Sequence, residues 1–225
     1  MILVKPDFKI LEIMAHDVNE PHQPIQLIER CGRICYKSED KMTEGSAEKF
    51  VKMVRDRGHH SVIEHSAMTV WFQIDRGVSH ELVRHRLCAF SQESTRYCNY
   101  KGGVTFVIPP WIRLVEGEYQ FAEEELPWNC DKDGTVWEWF DSLQKAERTY
   151  IALLALGWTP QQARSVLPNS LKTEIVVTAN FREWRHIFNL RCSKAAHPQM
   201  REIMLPTLAA AQAAVPVIFD DILEN

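Results

Sequence analysis

The sequence is short of the features that most readily betray a chemistry. It has no C-x-x-C pair, no apolar run long enough for a membrane span or a signal-peptide core, and, among nine glycines, neither G-x-G-x-x-G nor G-x-x-x-x-G-K-[ST]. A Rossmann or P-loop phosphate cradle is thereby excluded, and any bound phosphate must meet side chains. Positive charge is scarce overall: 26 Lys and Arg stand against 30 Asp and Glu, a net charge of -4. A generally basic protein that coats nucleic acid is excluded, so anion binding has to come from local clusters. The six cysteines, Cys31, Cys35, Cys88, Cys98, Cys130 and Cys192, are scattered rather than packed into a small disulfide framework, which points to reduced thiols. Cys31 and Cys35 share helical spacing with Ile28 and are expected to be buried hydrophobes rather than metal or redox ligands.

What remains is an ordinary globular composition, 45% hydrophobic and 25% charged over 225 residues, enough for a sizeable core and read as a single domain over 1–225. The opening MILVKPDFKILEIMAHD, broken at Lys5, Pro6 and Asp7, reads as a strand in a cytoplasmic protein. Ile25, Ile28, Cys31 and Cys35 predict one helix, and Ser46 is expected to cap a second that carries Phe50, Met53 and Val54 and ends at Gly58. Alternating Met68, Val70, Phe72 and Ile74 predict a strand over Ser66 to Asp75, followed by a polar helix from about Val78 and a short strand at Thr105 before Pro109-Pro110. Between 116 and 133 the chain is acidic and reads as an exposed, mobile insertion.

Beyond it, Val136, Phe140, Leu143 and Tyr150 predict a long helix ended by Gly157, and Thr159-Pro160 with Gln162 makes a capping box. A β-rich run from Glu174 to Thr178 leads into a helix with Phe181, Trp184 and Phe188 on one face, and an Ala-rich helix follows from Leu205. This order, without repeats or βαβαβ alternation, predicts an α+β fold of helices packed on a small, mostly antiparallel sheet.

Three polar groups carry chemistry. Residues 84 to 97 place Arg84, His85, Arg86 and Arg96 among hydroxyls and amides; guanidinium forks and serine hydroxyls suit anionic ligands, although a solvated helix end explains the composition about as well. Gly58-His-His-Ser-Val-Ile-Glu-His65 invites a zinc reading, but His60, Glu64 and His65 match neither H-E-x-x-H nor H-x-x-E-H, so no metal site is expected. The group can brace the fold or line a cofactor pocket. On the late helix Arg182, Arg185, His186 and Asn189 occupy one face, opposite the aromatic stripe, with Arg191 just beyond; taken alone, that face reads as solvent-facing surface. Arg164 is a fourth candidate, by charge alone.

Arg84, His85, Arg86 and, after seven residues, Ser94 resemble the signature of the flavin-dependent thymidylate synthase family. The resemblance extends through Gly58-His59, Glu64-His65, Arg164 with Leu167-Pro168, Asn180-Phe-Arg182, and Asn189-Leu-Arg191 with His197 and Gln199, in the family's order. It implies that family's fold and reductive methylation of dUMP to dTMP. Methylenetetrahydrofolate would give the carbon, FAD would carry hydride, NADPH would recharge the flavin, and tetrahydrofolate would leave. It also implies a homotetramer with sites where subunits meet, and no nucleic-acid or membrane partner.

Carried over residue by residue, Ser61, Arg84, His85, Arg86, Gln92, Asn180, Phe181, Arg182 and His186 look like FAD contacts, with His59 near the folate or flavin ring. Glu81, Leu82, Val83, Arg84, Gln92, Glu93, Ser94, Thr95, Arg96, Arg164 and Arg191 look like the dUMP site. Arg191 is the cation implied to polarise uracil, and Ser94 a binding and orienting donor. Three departures stand out: Glu81 where Gln is common, His186 where Asn is common, and an Arg191-to-His197 spacing two residues longer than in some relatives. Cys88 falls within the signature's variable stretch and is expected to be structural rather than a nucleophile. A non-catalytic nucleic-acid-binding module using the same arginines is the rival reading, disfavoured by the acidic balance.

Overall fold

The computed structural model describes residues 1–14, 24–119 and 134–223. The opening run forms two strands, β1 (Ile2–Val4) and β2 (Asp7–Ile13), rather than one. The break falls at Lys5-Pro6, where proline has no N–H to give a ladder. The helices α1 (Pro24–Tyr36) and α2 (Ser46–Asp56) follow, then a 3-10 turn over His60–His65, the strand β3 (Ala67–Asp75) and the helix α3 (Arg76–Leu82). Next come β4 (Ala89–Gln92), β5 (Thr105–Val107) and β6 (Gly117–Glu118). The long helix α4 (Thr135–Ala155) leads to α5 (Pro160–Ala163), β7 (Lys172–Asn180), α6 (Phe181–Arg191), α7 (Pro198–Ala214) and α8 (Pro216–Phe219). One sheet has the order β5-β1-β6 and the other β2-β3-β7-β4, so the α+β expectation holds.

The chain divides into two compact units, one of Met1–Asp7, Phe72–Leu82 and Ser91–Ile175, the other of Phe8–Trp71, Val83–Phe90 and Val176–Asn225. In the first, β1 pairs parallel with β5 (Leu3 opposite Phe106) and antiparallel with β6. Leu3, Phe106, Ile108, Phe140, Leu143 and Tyr150 form its dry interior. The apolar positions of α4 recur every three or four residues, so one face of the helix is buried there. Thr159 and Gln162 make the expected capping box of α5. The Asp75 carboxylate accepts the Val78 N–H at 2.9 Å and starts α3.

In the second unit Ile28, Val54, Ile63, Met68, Val70, Trp184, Phe188 and Phe219 are buried, and the Trp184 indole N–H donates to the Met68 carbonyl at 2.8 Å. Asn180 leaves the strand and caps α6, its side-chain oxygen accepting the Glu183 N–H at 2.9 Å. The ends of β3 and β7 show that they run antiparallel: Phe181 N–H donates to the Ser66 carbonyl, while Arg76 N–H donates to that of Leu171.

Several local expectations are corrected. The buried stripe of α1 is Ile25, Ile28, Glu29 and Gly32; Cys31 is only partly buried and Cys35 is exposed, because the helix turns them off the core face. Gly45, not Ser46, occupies the N-cap of α2, and the Ser46 hydroxyl instead donates to the buried Glu29 at 2.8 Å. The Ala-rich helix starts at Pro198, capped by His197, rather than at Leu205. Of the acidic segment 116–133, Gly117 and Glu118 pair with β1 as a strand, and the expectation of mobility for the rest falls on 120–133, outside the described residues. Among the described residues no helix is long and apolar enough to cross a membrane.

Candidate active site

The run after the Arg-His-Arg motif bends sharply. In the first unit, the Ser94 carbonyl accepts the N–H groups of Tyr97 and Cys98 at 3.1 and 2.9 Å, and its hydroxyl accepts the Arg96 N–H at 3.3 Å. Among the described residues no histidine or carboxylate hydrogen-bonds that hydroxyl, so it lacks the base a nucleophile needs. The turn sets the buried Thr95 against Arg164, whose Nη1 donates to Thr95 Oγ1 at 3.0 Å, so two residues far apart in sequence meet here. Thr95 and Arg164 line a cavity of about 510 Å³ together with Arg76, His80, Ser165 and Asn169. Among the described residues no carboxylate lines it. Its volume and donor set suit an anionic ligand of nucleotide size.

Other expected residues of this unit serve a network behind the turn. Gln92 Nε2 donates to the hydroxyls of Ser79 at 3.0 Å and Thr173 at 3.2 Å. The Glu93 carboxylate accepts from the Tyr100 hydroxyl at 2.7 Å, from Lys172 Nζ at 3.2 Å and from the Glu174 N–H at 3.2 Å, which leaves it occupied by the protein itself. Burial and that carboxylate push the Tyr100 hydroxyl up, so it stays a donor. Glu81 is half-buried, Arg96 is exposed with its guanidinium 5.4 Å from the Tyr97 ring, and Leu82 is packed in the interior.

In the second unit the motif alternates in burial: Arg84 and Arg86 are exposed, and His85 between them is 5% exposed. Arg191, at the end of α6, donates from Nε to His85 Nε2 at 3.0 Å. On its other side His85 Nδ1 lies 3.4 Å from the buried Glu183 carboxylate, and its ring meets that of His186 edge-on at 5.6 Å. Burial, then the positive charge of Arg191 and the proximity of His186, push His85 down to about 4, so it is a neutral acceptor at physiological pH. His85, Glu183 and His186 offer donor atoms within 4.8 Å of one another, but the Arg191 guanidinium already occupies His85 Nε2 and opposes a second cation there.

Burial, with the Glu183 charge second, pushes the Cys88 thiol up to about 12, which leaves no useful thiolate. Arg182 pairs with Glu64 at 2.5 Å, and His59 Nδ1 shares a hydrogen bond with the Tyr36 hydroxyl at 2.8 Å. Ser61 and His186 are exposed, Val83 and Asn180 half-buried, and Phe181 packs edge-on against Phe219 in the core. Arg185 is corrected: it leaves the basic face, is buried, and holds Asp221 through two nitrogens at 2.5 and 2.7 Å. Three residues escaped the sequence reading. Arg76 and His80 lie outside every motif the sequence offers, and Glu183 reads as a first-turn acid of α6; only burial and cavity lining reveal them.

The fold and these side chains define an α+β protein with arginines and hydroxyls around a cavity in one unit and a neutral, buried imidazole against an arginine in the other. The model of thymidylate synthase complementing proteins matches residues 17–217. A flavin-dependent thymidylate synthase of Geobacter sulfurreducens is 32% identical over 206 residues, covering 88% of this chain and 82% of that one. Another, from Corynebacterium aurimucosum, is 35% identical over 209 residues, covering 87% and 78%. The crystal structure of a UMP/dUMP methylase PolB from Streptomyces cacaoi bound with 5-Br dUMP shares the fold at a TM-score of 0.76 and 24% identity, over 98% of this chain and 96% of that one. The chain belongs to the flavin-dependent thymidylate synthase family, and it is an enzyme of the methyltransferase class.

Proposed function

We propose that this enzyme converts dUMP to dTMP by reductive methylation, with methylenetetrahydrofolate as carbon donor, FAD as its flavin and NADPH as reductant, releasing tetrahydrofolate. The observation that carries the reading is the Arg164–Thr95 contact beside the Ser94 turn, in a cavity that no described carboxylate lines. The pyrimidine nucleotide held by the Streptomyces methylase, which has the same fold, supports dUMP as substrate. The donor set of the second unit fits a flavin nucleotide: Arg84 and Arg86 are exposed, with no ion-pair partner among the described residues, and can meet a pyrophosphate. Asn180, Arg182 and His186 at α6 add an amide, a cation and an imidazole. Bound FAD supplies the hydride chemistry, as cofactors do.

The chain's own residues bind and polarise. Arg164, the Ser94 turn and Arg96 take the anionic end of dUMP. Arg191 places a fixed cation where negative charge develops on the uracil ring, which raises the nucleophilicity of carbon 5. His85 holds that cation by accepting at Nε2 without contributing a competing charge. No enzyme nucleophile takes part; the half-buried Cys88, its thiol pushed up to about 12, supports this. We take the two units as parts of one family domain, since the match runs across both, and the active form as a cytoplasmic homotetramer with sites where subunits meet.

The visible spectrum of the purified protein tests the reading. Absorbance of oxidised flavin should bleach with NADPH without oxygen and return on adding methylenetetrahydrofolate and dUMP, with dTMP formed in equal amount. A colourless protein whose affinity for RNA falls steeply with salt would instead favour the nucleic-acid-binding rival.

A further inference from the structure

The second unit has a cavity of its own, about 540 Å³, lined from α1, α2 and the 3-10 turn Glu39–Lys41 that joins them. Four cations line it: Arg33, Lys41, Lys49 and Arg57. Arg33 is already engaged. Its guanidinium donates to the Glu29 carboxylate at 2.9 and 3.1 Å and rests 4.6 Å from the centre of the Phe50 ring. The side chains of Lys41, Lys49 and Arg57 make no ion pair or hydrogen bond with any described residue. No described carboxylate lines the cavity. Glu29 has its other oxygen on the Ser46 hydroxyl, and Glu39, Asp40, Glu44 and Glu48 of the same stretch stay outside the lining.

Like charges gathered around one space repel, and a chain of net charge -4 has acids enough to neutralise them, so the arrangement calls for an anion from outside. Spacing sets the shape of that anion. The backbones of Lys49 and Arg57 stand about 12 Å apart along the axis of α2, with Lys41 on the turn before it. Such spread suits an elongated ligand with separated negative groups better than one compact phosphate. A flat base finds no slot against Phe50, which is buried, covered by Arg33 and met edge-on by Tyr36. A γ-glutamyl chain on a folate meets both conditions, since each added residue contributes one free carboxylate along a flexible chain. Tyr36 joins the cavity to His59: it lines the former, and its hydroxyl shares the 2.8 Å hydrogen bond with His59 Nδ1.

We propose that this cavity holds the γ-glutamyl tail of the folate cosubstrate, its carboxylates meeting Lys41, Lys49 and Arg57. The inference rests on the folate-dependent reaction proposed above, with His59 beside the folate or flavin ring. The tail then runs from His59 past Tyr36 into the cavity, and affinity grows with the number of glutamates.

The test compares methylenetetrahydrofolate carrying one and five glutamates as substrates of the flavin-loaded enzyme, with dUMP and NADPH. The parent should show a KM about 3- to 10-fold lower for the pentaglutamate, as a few solvent-exposed ion pairs give, and the difference should shrink as salt is raised. Lys49 and Arg57 are exposed, so the double variant Lys49→Gln, Arg57→Gln should fold. It should lose the difference between the two folates, with flavin content, kcat and the KM values of dUMP and the monoglutamate unchanged. A parent that does not distinguish the folates overturns the proposal, as does a double variant that still does. A rise in the KM of NADPH alone would assign the cavity to the reductant's phosphates and overturn it too. If the parent forms no dTMP from either folate, the functional reading fails. Calorimetry with free penta-γ-glutamate then decides the cavity: binding by the parent that the double variant loses keeps a polycarboxylate site, and no binding by the parent removes it.

Discussion

The guanidinium of Arg191 is held at Nε by a histidine that burial keeps neutral, so the pair can be probed from either side. Arg191→Ala should abolish turnover and weaken dUMP binding while much of the flavin remains, read from dTMP formation and the flavin absorbance; intact turnover would remove its role. His85 is pushed down from 6.5 to about 4 in the folded protein. Between those values the unfolded chain binds the extra proton and the native state does not, so stability is full above about 6.5 and declines as the pH falls toward about 4. The melting temperature should fall across that window, and His85→Gln should flatten the dependence; an unchanged slope would assign it to other groups. Cys88, pushed up to about 12, should resist alkylation at pH 8, and Cys88→Ala should keep most dTMP formation. Loss of activity with flavin still bound would make it a participant.

At the scale of elements, α1 and α2 meet where Gly32 faces Phe50. A Cβ at position 32 would fall on the Phe50 ring and within 2.9 Å of Val62 Cγ1, so a side chain there must displace a packed aromatic. Gly32→Ala is expected to cost about 1–3 kcal/mol, visible as a lower denaturation midpoint; an unchanged midpoint would contradict this packing. Elements with a strong period were legible in the sequence, because alternation in β3 and the aromatic spacing of α6 are local properties of the chain. Caps and boundaries were less so. Ser46 looked like a cap, yet its hydroxyl found the buried Glu29 of another helix, a partner that spacing cannot show. Arg185 likewise looked solvent-facing until Asp221, far along the chain, met it beside the core.

At the scale of the whole molecule, the proposed tetramer makes a concentration-dependent prediction. If sites form where subunits meet, dilution should release flavin and activity together, followed by fluorescence of the freed flavin and by sedimentation. A monomer that retains flavin and turnover would contradict the shared sites.

By itself the sequence determined the family and the α+β class, since a spaced set of arginines, histidines and a serine and the apolar periods are written locally. Only the tertiary structure decided which cations face a cavity and which brace the interior. It set Arg76 and Arg164 on one cavity, kept His85 neutral against Arg191, and turned Arg185 toward Asp221. The physical reason is that charge is a property of a side chain, whereas its burial and counter-charge belong to neighbours that sequence distance does not reveal.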